Sequence, residues 1–553
     1  MSWLSLEQML VEGQPARVVT LQPEMTHDAL RRRALSLAAT LQARGVRRLA
    51  LYLEDAGELA VALLGAWRAG VSVLLPADDQ AHSRAQVTGA GDLWLDSLQG
   101  LELLAALPGA ALDLDRCRLT LCTSGSTGAA KWIDKSLRQL SNELQCLEQL
   151  WGAELQGATV LGSVAPQHIY GLLFRLLWPL CAGRAFLRQA TSFPEDLQRA
   201  SLAQPGFVWI ASPALLKRLG DNLDWAALAA VRRLFSSGGA LPTEAAERLF
   251  GQLGQWPTEV YGSSETGGIA WRQGPGAWQP FAGVELAQSD EGALRLRSAF
   301  LPDDGWEQTA DAVTLEGGGF HLRGRLDRLV KLEEQRISLP RLEQALLEHA
   351  WLADVRLGVV QEGRAALGAL LVLSPAGVHA LRNHGRRALT ETLRRQLRDH
   401  CPAMALPRRW RLLSQLPCNS QGKLAQAEVE ACLAAPRPTQ PHCLSRREVD
   451  GEWQVELQVP LDLAHFSGHF AATPVLPGVV QIDWALSLAR ELLVLPPRFV
   501  GMEVLKFQQL ARPGDQLSLS LRFDGGRSKL YFAYRAATGA CSSGRILLGA
   551  ADV

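Results

Sequence analysis

The chain has 553 residues, 47% of them hydrophobic, and its 56 Lys plus Arg balance 56 Asp plus Glu. That length suggests about three or four domain-sized units, and the charge balance excludes a net electrostatic drive toward nucleic acid. Nine scattered cysteines without a Cys-x-x-Cys pair read as reduced thiols, not as a disulfide framework or a zinc site. The acidic N-terminal stretch has no signal-peptide core and no apolar run suffices for a membrane span, so the expected location is the cytoplasm.

In chain order, Thr26 and His27 are placed to cap a helix with apolar positions Leu30, Leu35, Leu37, Ala38 and Leu41. Residues 48–53 read as a strand, 57–69 as a helix and 71–75 as a strand. This alternation continues to about residue 270 and predicts an α/β domain with a mostly parallel sheet. Residues 272–325 hold Gly, Pro, Trp and short β runs, and a charged, helix-rich unit follows. Three prolines in 434–441 mark a linker. Beyond it the pattern is β-like, as in 453–459 and 516–523, interrupted by one helix near 479–493. The expected boundaries are 1–326, 327–433, a linker at 434–444, and 445–553.

The apolar run Leu119–Cys122 leads into Thr123, Ser124, Gly125, Ser126, Thr127 and Gly128, with Lys131 just beyond. Small residues let backbone N–H groups approach an anion, and hydroxyls add donors, so the loop suits a phosphate. It is not a Walker A loop, because no Gly-Lys-Ser/Thr is present. A Ser/Gly linker is the alternative, and the flanking strand and lysine argue against it.

The segment resembles the phosphate loop of the adenylate-forming enzymes: acyl- and aryl-CoA ligases, peptide-synthetase adenylation domains and luciferases. The resemblance extends downstream, and it implies the following roles. Residues 165–171 would position the acyl substrate, with His168 and Tyr170 in the pocket wall. Gly238, Gly239 and Ala240 would let adenine and the acyl group lie against the backbone, Gly239 facing the substrate too. In 260–268, Tyr261, Gly262, Ser263 and Ser264 would flank the nucleotide, Gly268 the substrate, and Glu265 would hold Mg²⁺; Ser264 stands where the family has Thr. Asp311 would accept the ribose hydroxyls, with Ala310 in place of the usual Gly. Arg325 would reach the ribose, and Asp327 would be the hinge of a mobile small α+β subdomain. Lys423, in a P-x4-GK ending, would bridge the carboxylate and the α-phosphate. Taken singly, each residue also has an ordinary structural reading, such as a packed histidine, a capping aspartate or a solvated lysine. Glu334 replaces a glycine that in the family lines the thiol tunnel.

Residues 466–484 resemble the active-site segment of hot-dog 3-hydroxyacyl-carrier-protein dehydratases, GHFP-x-x-PV-x-PG-V followed by an acid. His469 and Asp483 match the catalytic pair, and Ala471 replaces a proline. Asp483 is expected to be buried on an apolar helix, protonated or positioning water. In that family the two residues come from different subunits, which implies at least a homodimer.

Together these resemblances imply an α/β ligase with a small α+β subdomain, fused to an α+β hot-dog domain. The expected substrates are ATP with Mg²⁺, a carboxylic acid, and the thiol of an acyl carrier protein or CoA. The combination looks like the ligase–dehydratase proteins of aryl polyene and xanthomonadin-type clusters. A CoA ligase with a thioesterase-like or silent hot-dog domain, and a non-catalytic carrier-protein scaffold, remain alternatives.

Overall fold

A computed structural model describes residues 3–550 except 77, 80–83, 86–91, 125–129, 333–334, 363 and 419–423. The chain divides into two compact units, one ending at Leu326 and the other comprising Asp327–Cys418 with the chain from Leu424 onward.

The first unit holds two mainly parallel sheets where one was expected. Strands β1 (Val18–Leu21) and β2 (Met25–Thr26) precede helix α1 (His27–Ala43), whose N-cap Thr26 side chain accepts the Ala29 N–H. Next come β3 (Arg48–Leu51), α2 (Ala56–Ala69), β4 (Ser72–Leu75), β5 (Asp92–Leu95), β6 (Arg118–Ser124) and β7 (Ala130–Ser136). They form a sheet in the order β5-β3-β4-β6-β7, antiparallel only between β6 and β7. Helix α3 (Leu137–Trp151) follows β7, started by a reciprocal cap between Ser136 and Gln139.

The larger sheet adds β8 (Thr159–Gly162), β9 (Phe186–Leu187), β10 (Phe207–Ala211), β11 (Val231–Ser236), β12 (Thr258–Ser263), β13 (Gly267–Gln273) and β14 (Gln279–Pro280), in the order β14-β13-β12-β11-β10-β8-β9-β1-β2. Its central strands β8 and β10 are buried on both faces, as a sheet covered by helices requires. An antiparallel sheet follows: β15 (Glu285–Gln288), β16 (Ala293–Arg297), β17 (Glu307–Glu316) and β18 (Gly319–Arg325).

The second unit begins with a hairpin, β19 (Leu329–Leu332) and β20 (Gln335–Ser338). A three-stranded sheet of β21 (Leu352–Glu362), β22 (Arg364–Leu373) and β23 (Arg409–Leu413) packs with α4 (Leu339–Leu347), α5 (Pro375–Leu397) and α6 (Gln426–Ala434). The region is thus mixed α and β rather than helix-rich. After the prolines, β24 (His442–Val449), β25 (Glu452–Gln458), β26 (Arg498–Phe507), β27 (Gln516–Asp524), β28 (Lys529–Ala536) and β29 (Gly539–Gly549) make an antiparallel sheet ordered β24-β25-β27-β28-β29-β26. The sheet packs on helix α7 (Gly478–Leu492) through Val480, Ile482, Trp484, Ala485 and Leu488. This is the hot-dog arrangement.

The proline-rich segment is fastened rather than free. Arg437 pairs with Asp462 at 3.0 Å, and the Trp484 indole N–H donates to the Thr439 carbonyl. Asp462, only 2% exposed, also accepts from Arg386 of α5 at 2.7 Å and from the Leu412 N–H. Nearby, Arg382 donates to the Pro513 carbonyl and to Asp515, and Arg512 donates to the Arg382 carbonyl. Gly385, at φ +77°, interrupts α5; a Cβ there would meet the Ala471 carbonyl oxygen at 1.7 Å. Only glycine suits both the left-handed backbone and that approach.

Because Asp462 is a buried anion shared by two arginines, its removal strands both. Asp462→Ala is expected to destabilise the second unit by about 3 kcal/mol in urea unfolding. A change below about 0.5 kcal/mol would show that the junction contributes nothing.

Candidate active sites

A cavity of about 360 Å³ opens in the first unit. Its walls come from the end of β6 (Leu121, Cys122), residues 163–174 and Gly238. The turn Gly262, Ser263, Ser264, Gly267 and Gly268 between β12 and β13 completes it. His168, Tyr170, Gly238 and Gly268 therefore share one space. Gly239 and Ala240 do not line it; both are exposed just beyond Gly238. Burial pushes the Tyr170 phenol well above its usual pKa, so the cavity keeps a neutral hydroxyl.

Strands β12 and β13 pair Gly262 opposite Gly268. A Cβ on Gly262 would meet the Gly267 carbonyl oxygen at 2.4 Å, so glycine permits the tight return. Inside the turn, the Ser263 and Thr266 hydroxyls lie 3.0 Å apart. The buried Lys135 of β7 donates to the main-chain oxygens of Glu265 (2.8 Å) and Phe300 (3.0 Å). Burial lowers the Lys135 pKa, against the charges of Glu143 and Glu265.

The Glu265 side chain faces Lys131, with Nζ 2.9 Å from Oε1. Partial burial raises its pKa, but hydrogen bonds from Lys131, its own backbone N–H and Ser263 outweigh that and leave it below the ordinary value. An ionised, partly exposed carboxylate is a fit oxygen ligand for Mg²⁺. No group of three or more His, Cys, Asp or Glu gathers among the described residues, so a magnesium ion here would rely on this carboxylate and substrate phosphates.

A second cluster lies on β12, β17 and β18. The register of β17 and β18 sets Asp311 opposite Arg325. The Tyr261 hydroxyl donates to Asp311 Oδ2 at 2.5 Å, and Arg325 Nη1 stands 3.7 Å from Oδ1. Burial and the Asp311 charge raise the Tyr261 pKa, so it remains a donor. Of the phosphate-loop residues, Thr123 and Ser124 end β6, and Lys131 pairs with Thr123 across the β6–β7 ladder. Gly125, Ser126, Thr127 and Gly128 lie outside the described residues, as do Lys423 and Glu334. Asp327 falls in a 3-10 turn at the start of the second unit.

Two site residues escaped the motif reading, Lys135 and Glu143. Glu143 of α3 lines the cavity, is 5% exposed, and accepts the Gly268 N–H at 2.7 Å. Burial raises its pKa to about 6, against the opposing Lys135 charge and the Gly268 bond. A carboxylate amid Leu140, Leu144 and Leu147 on the buried face of α3 was the available signal.

In the hot-dog domain His469 follows a 3-10 turn (Ala464–Ser467) and is exposed, its carbonyl accepting the Val475 N–H. The expectation of a buried Asp483 is not met: Asp483 is exposed within the single chain. Gln481, Ile482, Trp484 and Ala485 occupy the inward face of α7, which turns residue 483 outward, on the same side as Val479, 71% exposed.

The two-sheet first unit has the fold of the adenylate-forming enzymes. The chain belongs to that family, whose members use ATP and Mg²⁺ to join a carboxylic acid to the thiol of CoA or a carrier protein, and it carries a dehydratase-like domain. The AMP-binding enzyme family matches residues 77–292, and the ApeI-like family, described as ApeI dehydratase, matches 445–545. A 4-coumarate–CoA ligase of Rhodobacter capsulatus is 30% identical over 336 residues, 60% of this chain and 79% of that one. The phenyloxazoline synthase MbtB of Mycobacterium tuberculosis is 25% identical over 74% of this chain but only 33% of its own length. Among solved structures, a benzoate CoA ligase of Burkholderia xenovorans superposes with a TM-score of 0.64 at 20% identity, covering 77% of this chain and 100% of that one. An o-succinylbenzoate CoA synthetase of Bacillus subtilis, in complex with ATP and magnesium, gives 0.62 at 18% identity over 77% and 99%. No helix among the described residues is long and apolar enough to cross a membrane.

The raised Glu143 pKa fixes a pH dependence. A buried carboxyl at about 6, against 4.5, favours the fold fully below pH 4.5 and loses that contribution as pH rises through 6. The stability of Glu143→Gln relative to the wild type should therefore rise between pH 4.5 and 7, by on the order of 2 kcal/mol in urea titrations. A pH-independent difference would contradict the burial argument.

Proposed function

We propose that the first unit, together with Lys423, converts an aromatic or other acyl starter acid to its acyl-adenylate and passes it to the phosphopantetheine thiol of an acyl carrier protein. The hot-dog domain would then dehydrate 3-hydroxyacyl thioesters in the same pathway. The observation that carries the first half is the cavity bounded by Gly238 and the Gly262–Gly268 turn, with the Lys131–Glu265 pair and the Tyr261–Asp311–Arg325 cluster on elements that border it.

In this reading a carboxylate oxygen attacks the α-phosphorus of ATP, the bond to the β-phosphate oxygen breaks, and pyrophosphate leaves. Asp311 and Arg325 orient the ribose, and Tyr261 flanks the adenine. Residues 123–128 and Lys131 receive the phosphates, and Lys423 neutralises charge between the carboxylate and the α-phosphate. Glu265 would hold Mg²⁺, which when bound would supply further charge neutralisation. The thiol then attacks the acyl carbon and AMP departs, after the small subdomain turns about Asp327.

For the dehydratase step, His469 removes the proton next to the thioester carbonyl. Asp483 protonates the departing hydroxyl, so water and an enoyl thioester result. Asp483 must be shielded from water to serve as an acid. A second subunit would cover it, and the exposed apolar side chains of β26 and its neighbours support that dimer: Phe499, Val500, Met502, Val504 and Phe507, with Val479 on α7. We assign the protein to aryl-polyene-type assembly in the cytoplasm, on the strength of the ligase–dehydratase fusion and the need for ATP and a carrier thiol. The likeness to 4-coumarate–CoA ligases favours CoA as the second reading for the acceptor.

Pyrophosphate exchange over a panel of aromatic and fatty acids tests the first half. Lys423→Ala should lower exchange at least about a hundredfold; unchanged exchange would contradict the mechanism. His469→Ala should abolish conversion of a 3-hydroxyacyl thioester to the enoyl thioester while exchange persists, and equal dehydration by the variant would remove the second activity.

A further inference from the structure

We infer, resting on the dehydratase reading of the hot-dog domain, that the small ligase subdomain and the proline-rich segment hold the loop that carries His469. Arg382, Gly385 and Arg437 are then positioning residues for the dehydration step, and all three precede β24, the first strand of the hot-dog sheet.

The loop has little of its own to fix it. Residues 467–473 are all exposed in the single chain, and the hot-dog core takes up Phe466 before them and Leu476 after them. At the tip, Ala471 and Ala472 have neither the ring nor the β-branch that restricts a backbone. Internal hydrogen bonds close the loop on itself. The Phe470 and Thr473 main chains bond each other, and the Val475 N–H donates to the His469 carbonyl at 2.7 Å. These bonds set the shape of the loop but not its placement.

Placement comes from other parts of the second unit. Before His469, Arg437 donates to the Leu463 carbonyl at 2.7 Å and to the Ser467 hydroxyl at 2.8 Å. At the tip, the Ala471–Ala472 backbone lies against Gly385, in the break of α5, so closely that a side chain at 385 would displace it. Beyond the tip, Arg512 donates to the Pro474 carbonyl at 2.9 Å and, through a second nitrogen, to the Arg382 carbonyl. The Arg382 guanidinium donates to the Pro513 carbonyl at 2.7 Å and to Asp515, which in turn accepts the Arg512 N–H at 2.7 Å. The segment around His469 is thus held on both sides and at its tip. A general base must lie within hydrogen-bond reach of the proton it removes, and a misplacement of about 1 Å can cost about a hundredfold in rate.

Full-length Gly385→Ala, Arg382→Ala and Arg382→Lys are compared with the wild type. Urea unfolding gives the folded fraction of each. Dehydration is followed with a 3-hydroxyacyl N-acetylcysteamine thioester carrying either hydrogen or deuterium on the carbon next to the carbonyl. In Gly385→Ala and Arg382→Ala, kcat per folded molecule should fall at least about tenfold while KM stays within about twofold, because the base and not substrate binding is disturbed. The deuterium isotope effect on kcat/KM should rise, since proton removal becomes the slower step. Arg382→Lys keeps a cationic donor for Pro513 and Asp515 and should recover most of the rate. Pyrophosphate exchange should remain at the wild-type level in all three.

Wild-type kcat per folded molecule in Gly385→Ala and Arg382→Ala overturns the inference alone. So does a loss that follows the unfolded fraction with an unchanged isotope effect, since that marks a purely structural role. Should Gly385→Ala fail to fold, the Arg382 pair decides by the same criteria. A wild type that dehydrates no 3-hydroxyacyl thioester overturns the dehydratase reading itself, and this inference with it.

Discussion

The first unit depends on two buried polar side chains, Lys135 and Glu143, carried by one short stretch of chain. Lys135 ends β7 and Glu143 lies two turns into α3, and both reach the segment between β12 and β13. The lysine clamps the Glu265 and Phe300 carbonyls, and the glutamate takes the Gly268 N–H. Because β6 and β7 flank the phosphate-loop residues, the same hairpin and helix anchor the turn that presents Glu265. The position of the Glu265 turn is therefore a consequence of packing between a hairpin, a helix and a glycine-rich turn.

In the second unit a different anion has the organising role. Asp462 joins α5, β23 and the proline-rich segment, and Arg382 and Arg512 extend the junction to Pro513 and Asp515. The small ligase subdomain and the hot-dog domain consequently form one packed body instead of two beads on a tether. In the proposed cycle, the small subdomain turns about Asp327 between half-reactions. A hot-dog domain fixed to it would turn with it, or, held in a dimer, would make the large domain the part that moves.

Much of the candidate site was legible in the sequence because its residues lie in short contiguous segments. Tyr261, Glu265 and Gly268 occupy one nonapeptide, and Asp311 and Arg325 sit in two others that the β17–β18 register sets face to face. The elements were readable for the same local reason: Thr26 caps α1, and alternation marks β25 and β27. What escaped was long-range. Nothing adjacent to Lys135 announces that its hydrogens go to Glu265 and Phe300, and nothing near Asp462 announces Arg386. Periodicity alone could not separate two sheets from one, since both consist of similar strand–helix repeats. The outward position of Asp483 follows from the phase of α7 relative to Trp484, which depends on packing as well as on composition.

The central claim is that the acid reacts at the α-phosphorus of ATP. Supplying the acid with both carboxyl oxygens labelled as ¹⁸O, and analysing the released nucleotide and pyrophosphate by mass spectrometry, tests this most directly. The account predicts one ¹⁸O in AMP per thioester formed and none in pyrophosphate. Label appearing in a phosphate derived from the γ- or β-position, or AMP released without label, would contradict it.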